Sequence, residues 1–496
     1  PFHRLVSQCV SNLQSSPLPC ILFISQASIT MYQQSSVISL SLYILHTLHF
    51  TSSTDQIFTS RDTSTQWTIP DVTYPEPVFK HNINPTSTVI SRLGYPVEKH
   101  FIQTEDGYIL GLHRIPPLSP TKLPPVLMIH GFLGASDQWM FRNDSSLDLP
   151  FLISKSGLDV WLGNLRGNVY SRHHAKLSPD KMEFWEFSLD EHGSRDLPAM
   201  IELIRFKTGQ DRLVYIGYSI GGALPYIMSA TRPEYTRFIA LNILLAPFVF
   251  GAADQRSTIV NNIKPLIDFR VTQAYKSHSL TLAEVSPRTN DSIVLLNNLC
   301  GSSDVLNNIC ATVLQDLVGY DTSIMRMKNR KLARLLGYSR SGTSISALYH
   351  IWNIYKTSRF LTYDSLPLTD VKRKGYRSKV KPPIIPFKRN NDQPFTSESA
   401  AARGTSNDAR EFDVTKMNAP TIIWYSENDR LVDKQGIKKL SQLSPNVIKL
   451  NLISYKRFNH WDYWLHKDVN QMVNYQLIDQ MKRFFSSYNY NYYYST

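Results

Sequence analysis

The sequence predicts an α/β protein: a mostly parallel central sheet flanked by helices, with an inserted cap or lid domain. Three observations carry this expectation. A turn dipeptide, Asp106-Gly107, separates His100-Phe101-Ile102 from Tyr108-Ile109-Leu110-Gly111-Leu112, which reads as a β-hairpin that opens the sheet with antiparallel strands. Largely apolar runs follow at 126–129, 160–162, 213–216, 239–245, 421–425 and 447–453, the pattern expected of strands buried on both faces. Between them lie helical spacings, clearest at Leu197, Met200, Ile201 and Ile204, so strand and helix alternate.

The gap between the runs at 239–245 and 421–425 interrupts that rhythm and divides the chain. Residues 55–247 read as the first part of the core, 248–340 as the cap, 341–365 as a further core helix and 411–487 as the second part of the core. Residues 366–410 read as a basic, flexible insertion that the chemistry does not need. The tail 488–496, rich in Asn, Tyr and Ser, reads as disordered. At 496 residues, 42% of them hydrophobic, the chain has ample material for one large core, and disorder throughout is excluded.

A net charge of +13 suggests a nucleic-acid partner until it is mapped. Lys372, Arg373, Lys374, Arg377, Lys379, Lys381, Lys388 and Arg389 fall in one short stretch without an acidic residue, and no binding module accompanies them. No nucleic acid is therefore expected.

Residues 1–54 read as an upstream extension followed, from Met31, by a signal peptide with the apolar run 37–45 and no basic start; a buried strand or a membrane anchor is the alternative. Cys300 and Cys310 then remain as the two cysteines of the mature chain. In an oxidising compartment they would pair; otherwise they are two buried thiols. Asn143-Asp144-Ser145 and Asn290-Asp291-Ser292 are glycosylation acceptors that fit the secretory route.

Gly217-Tyr218-Ser219-Ile220-Gly221 follows the run 213–216 and precedes a helical pattern at 223–230. Strand, sharp turn, helix is the context of a nucleophile elbow and of the α/β-hydrolase fold. The serine sits in a strained backbone conformation, and small residues two positions either side avoid a clash. A serine hydroxyl also needs a base and an anion hole. His130-Gly131-Phe132-Leu133-Gly134 ends an earlier strand in a glycine-bordered loop, which assigns the anion hole to the amides of Phe132 and Ile220 and leaves His130 a structural histidine.

In this fold the acid and then the base follow the serine in the chain. His460 comes after the last apolar run, and Asp429 lies in the turn Ser426-Glu427-Asn428-Asp429-Arg430 after the run before it. Of the neighbouring carboxylates, Asp433 suits the N-terminus of a helix through Gln435 and Ile437. Ser219, Asp429 and His460 thus make a complete set at consecutive strand ends.

The stretches Gly94-Tyr95-Pro96-Val97-Glu98, Thr104-Glu105-Asp106-Gly107-Tyr108-Ile109-Leu110, Asp159-Val160-Trp161-Leu162-Gly163-Asn164-Leu165-Arg166-Gly167-Asn168, Asn428-Asp429-Arg430-Leu431-Val432-Asp433 and Phe458-Asn459-His460 resemble the acid lipase family. That family includes gastric, lysosomal and invertebrate digestive lipases. The resemblance covers residues 69–360 and 411–485. It implies the same catalytic set, a disulfide between Cys300 and Cys310, a cap over an apolar acyl site, and a neutral-lipid substrate met at a lipid–water interface. No metal or organic cofactor is expected. The sequence departs from the family pattern at Tyr218 and Ile220, where His and Gln are usual, at Phe132, where Leu is common, and in the length of 366–410. A short-chain esterase or thioesterase is the rival reading within enzymes, and a non-catalytic lipid-binding homologue the rival outside them.

Overall fold

The structure is a computed structural model that describes residues 68–366 and 410–487, apart from short stretches at 71–72, 80–82, 253–256, 259–261, 263, 278–282, 322–323, 325–326 and 328–329. The leader expected within residues 1–54, the insertion expected at 366–410 except its ends at Leu366 and Arg410, and the tail 488–496 lie outside the described residues.

The hairpin forms as expected, β1 (Glu98–Gln103) pairing antiparallel with β2 (Tyr108–Ile115) across the Asp106-Gly107 turn. The other strands are β3 (Val126–Ile129), β4 (Val160–Gly163), β5 (His173–His174), β6 (Leu213–Tyr218), β7 (Ile239–Leu245), β8 (Glu284–Val285), β9 (Thr343–Ser344), β10 (Thr421–Tyr425) and β11 (Val447–Leu452). The main sheet runs β1-β2-β4-β3-β6-β7-β10-β11, with β5 beside β2 and β8 paired with β9 apart from it. From β4 to β11 the pairings are parallel, and β2 meets β4 antiparallel.

Strand periodicity sends alternate side chains to opposite faces. Leu127, Ile129 and Tyr215 pack with α1 (Leu197–Thr208) and α2 (Ile220–Thr231), while Val126, Met128, Val214 and Ile216 share a core with Ile478 and Met481 of a C-terminal helix, Tyr475–Ser487. The α1 pattern holds: Leu197, Met200, Ile201 and Ile204 are buried, and Gly209, in the left-handed region at φ 71°, ends the helix.

One expectation fails. The run at 447–453 is not buried on both faces, because β11 is the edge strand: Ile448, Leu450 and Leu452 are 51%, 40% and 43% exposed. Lys449 and Asn451 interrupt its apolar residues, which is how edge strands resist pairing with another chain.

Between β7 and β10 stand α3 (Lys264–Ser277), α4 (Asn290–Cys300), α5 (Asp304–Val318), α6 (Arg330–Tyr338) and α7 (Ile345–Thr357). Cys300 and Cys310 are disulfide-bonded, with Cα atoms 5.8 Å apart, so the open alternative of two thiols is excluded and the end of α4 is tied to α5. Helix α7 covers the predicted position of the core helix, and α8 (Lys434–Leu443) follows β10. Among the described residues no helix is long and apolar enough to cross a membrane.

Candidate active site

The elbow is built by close packing. Ser219 has φ 57° and ψ −119°, a left-handed conformation that costs about 1–3 kcal/mol and persists only where the surroundings impose it. Its N–H donates to the Leu245 carbonyl at 2.9 Å, and its own carbonyl accepts from Gly222 and Phe248, both at 2.9 Å. A Cβ on Gly217 would collide with the Gly221 carbonyl, and one on Gly221 would come within 2.6 Å of the Ile129 carbonyl. Glycine is therefore required at both positions. Pro225 inside α2 deprives the Gly221 carbonyl of its usual helical donor. The buried Tyr215 hydroxyl donates to that carbonyl instead.

The structure brings the three predicted side chains together. Ser219 Oγ lies 2.8 Å from His460 Nε2, and His460 Nδ1 lies 2.6 Å from Asp429 Oδ2. All three residues are buried. The other Asp429 oxygen accepts from the Leu431 and Val432 amides, each at 2.9 Å. With its acceptor-only carboxylate fixed this way, the proton on His460 sits at Nδ1 and Nε2 faces the serine. Glu427 is exposed and 3.3 Å from Lys434, whereas Asp433 caps α8, accepting from the Gly436 amide at 2.6 Å. Asp433 thus takes the helix-capping place expected of it.

His130 is the structural residue expected. Leu165 N–H and Asn168 Nδ2 approach its Nε2 at 3.3 and 3.1 Å, so Nδ1 carries the proton and donates to the Gly131 carbonyl at 2.8 Å. Burial depresses its pKa to about 4, which keeps the ring neutral. Gly131 N–H donates to Gln138 Oε1 at 3.1 Å. A trans peptide points its carbonyl and its N–H in opposite directions. Holding the Gly131 carbonyl therefore turns the Phe132 N–H the other way. Among the described residues nothing accepts from the amides of Phe132 or Ile220, and Gly131 packs directly on Ser219. Asn290 is exposed at the start of α4, and Asn143 is half-buried with φ 58°.

Sequence reasoning missed the residues that join the two loops bearing Asp429 and His460. Asn428 Nδ2 donates to the Tyr320 and Arg457 carbonyls at 2.9 and 2.8 Å, and the His460 N–H donates to the Val318 carbonyl at 3.0 Å. The end of α5 thus clamps both loops. Gly319, at φ 115°, lies against the Asn428 carbonyl where any Cβ would clash. Only the motif Asn428-Asp429 hinted at this, and it carried no sign of which partner Asn428 would find.

Asp462, two residues past His460, is buried, with Oδ2 accepting from the Asn459 amide at 2.7 Å and Oδ1 without a partner. Burial pushes its carboxyl well above the usual range, and the nearby Asp321 charge adds to this. An acid whose folded pKa is raised binds its proton more tightly in the folded state. Its stabilising contribution is then complete below the unfolded value near 3.9 and is lost as pH rises. Asp462→Asn is accordingly expected to leave the melting midpoint unchanged at pH 4 and to raise it at pH 7. A midpoint difference that stays flat across this range would show that Asp462 is ionised in the folded protein.

A mostly parallel sheet carrying an elbow serine after its central strand, with a histidine and an aspartate reaching it from later strand ends, defines an α/β-hydrolase of the ester-hydrolase class. Profiles described as "Partial alpha/beta-hydrolase lipase region" and "alpha/beta hydrolase fold" match residues 86–143 and 124–257. The chain is 30% identical to human lipase member K over 416 residues, covering 82% of this chain and 93% of that protein. It is 30% identical to human gastric triacylglycerol lipase over 395 residues, covering 78% and 88%. Lipase 1 of Drosophila melanogaster is 28% identical over 411 residues, covering 82% of each chain. The chain belongs to the acid lipase family.

Proposed function

We propose that this protein is a lipase that hydrolyses carboxylic esters of neutral lipids, triacylglycerols or steryl esters, through an acyl-serine intermediate. The single observation that carries the reading is the hydrogen-bonded relay, 2.6 Å from Asp429 to His460 and 2.8 Å from His460 to Ser219. Ser219 Oγ attacks the ester carbonyl carbon while His460 Nε2 takes its proton. The carbonyl oxygen becomes an oxyanion that the Phe132 and Ile220 amides receive. Collapse breaks the ester bond, and His460 returns its proton to the departing alcohol. Water then attacks the acyl carbon while His460 takes its proton, and collapse breaks the acyl–Ser219 bond as His460 returns that proton to Ser219 Oγ, releasing the fatty acid. Asp429 stays ionised throughout and stabilises the imidazolium.

The similarity to proteins named as lipases, gastric triacylglycerol lipase among them, supports a lipid substrate. In this reading residues 248–340 cap an apolar acyl site, and the enzyme works at a lipid–water interface. The Cys300–Cys310 bridge and the acceptors Asn143 and Asn290 favour the secretory route, to the exterior or to lysosomes, with Asn290 the more accessible acceptor.

A hydrolysis panel of emulsified triacylglycerol, cholesteryl ester and a short soluble ester, run from about pH 4 to 8, tests the proposal. The expected result is faster turnover of at least one emulsified lipid than of the soluble ester. Turnover confined to the soluble ester would instead make this a short-chain esterase.

A further inference from the structure

Tyr218, the last residue of β6, immediately precedes the elbow serine and is 2% exposed. Its ring lies under Gly131, where a Cβ would come within 2.7 Å of it, and its centroid is 5.2 Å from that of His460. Trp139 and Tyr463 flank the same ring, with centroids 6.2 and 5.9 Å away. Its hydroxyl donates to the His460 carbonyl at 2.7 Å.

This last contact is unusual in its consequence. The His460 backbone is held on both sides, its N–H by Val318 and its carbonyl by Tyr218. Val318 belongs to a distant helix, but Tyr218 is the covalent neighbour of Ser219. The separation of nucleophile and base is thereby referred to a single short piece of chain. Burial pushes the phenol well above its ordinary pKa, so it remains a donor at any working pH. A phenol also carries its donor farther from the backbone than does the histidine that the family pattern leads one to expect here.

We propose that Tyr218 is a positioning residue for the reaction, its hydroxyl holding His460 against Ser219. The proposal rests on the roles given above to those two residues. Removing the hydroxyl frees the His460 carbonyl and lets the imidazole drift, and misplacement by about 1 Å can cost about 100-fold in rate.

The test is Tyr218→Phe, which keeps the ring and its packing. Its kcat on a soluble ester is expected to fall by about 10- to 100-fold with KM unchanged, and organophosphonate labelling of Ser219 should slow by the same factor. In a His460→Ala background the substitution should change the residual rate by less than about twofold, because a residue acting through the base has nothing left to act on. An unchanged kcat, a rise in KM alone, or an equal loss in both backgrounds would overturn the proposal. So would a Tyr218→Phe chain that fails to fold, since the hydroxyl would then serve the fold and not the reaction. Ser219→Ala separates the two levels. Full activity in that variant would remove the catalytic reading itself, whereas Ser219-dependent activity that ignores Tyr218→Phe removes only this inference.

Discussion

Ser219→Ala is expected to lower turnover of a soluble ester by about 10⁶-fold, the loss seen when the nucleophile of a serine hydrolase is removed, while the protein stays folded. The two halves of this expectation rest on different atoms. Chemistry resides in Oγ, which sits 2.8 Å from the base. The structural bonds of the residue are made by its backbone, through Leu245, Gly222 and Phe248. Alanine keeps those bonds and also keeps the Cβ, so the strain at φ 57° is unchanged. A serine-directed organophosphonate should label the natural protein stoichiometrically and the variant not at all, with melting midpoints close together. Equal labelling of both would place the nucleophile elsewhere.

What the sequence disclosed about this fold was largely local. Runs such as Val126–Ile129 and the spacing of Leu197, Met200, Ile201 and Ile204 report burial directly, because strand and helix periods map residue number onto a face. Asp433 was legible as a cap for the same reason, its partner Gly436 lying three residues away. The order of Ser219, Asp429 and His460 was legible because each follows a strand, and strand ends in a parallel sheet converge on one edge. The run at 447–453 has the hydrophobic content of a buried strand, yet Lys449 and Asn451 interrupt it and β11 lies at the sheet edge. Position at the edge is a property of strand order, which composition does not encode.

Other features depended on partners far along the chain. Arg166, in a stretch that resembles the acid lipases, binds Asp196 Oδ1 and Asp106 Oδ2, each at 2.6 Å, and lies 4.1 Å from the Tyr108 ring centroid. Burial raises the Asp106 carboxyl, but the Arg166 guanidinium outweighs it and the net shift is downward. The motif announced kinship, and only the fold gave the arginine its work of tying the hairpin turn to α1. The Tyr218 hydroxyl is a similar case. Its partner is 242 positions away, so the departure from the family pattern was visible while its effect was not.

Asp429→Asn is expected to lower turnover by about 10⁴, the magnitude known for the same change in serine proteases, and the local bonding explains which way the new amide would turn. Oδ1 of Asp429 accepts from two backbone N–H groups, of Leu431 and Val432, while Oδ2 faces His460 Nδ1. An asparagine has one oxygen for these three donors. Turning the amide nitrogen toward Leu431 and Val432 would set it against two donors and leave both amides unpaired, at about 1–3 kcal/mol for the buried Val432 N–H alone. The oxygen therefore stays with the backbone, and the nitrogen faces the imidazole. Nδ1 must then accept rather than donate, which moves its proton to Nε2, where the ring can no longer take one from Ser219. Asp433→Asn should cost little by comparison, because asparagine caps a helix as well as aspartate does. Glu427→Gln alters an exposed side chain near Lys434, where ion pairs contribute at most about 1 kcal/mol. The kcat values of these three purified variants on one soluble ester decide the assignment. Near-normal turnover by Asp429→Asn, or a collapse in Asp433→Asn with the fold intact, would transfer the orienting role to another carboxylate.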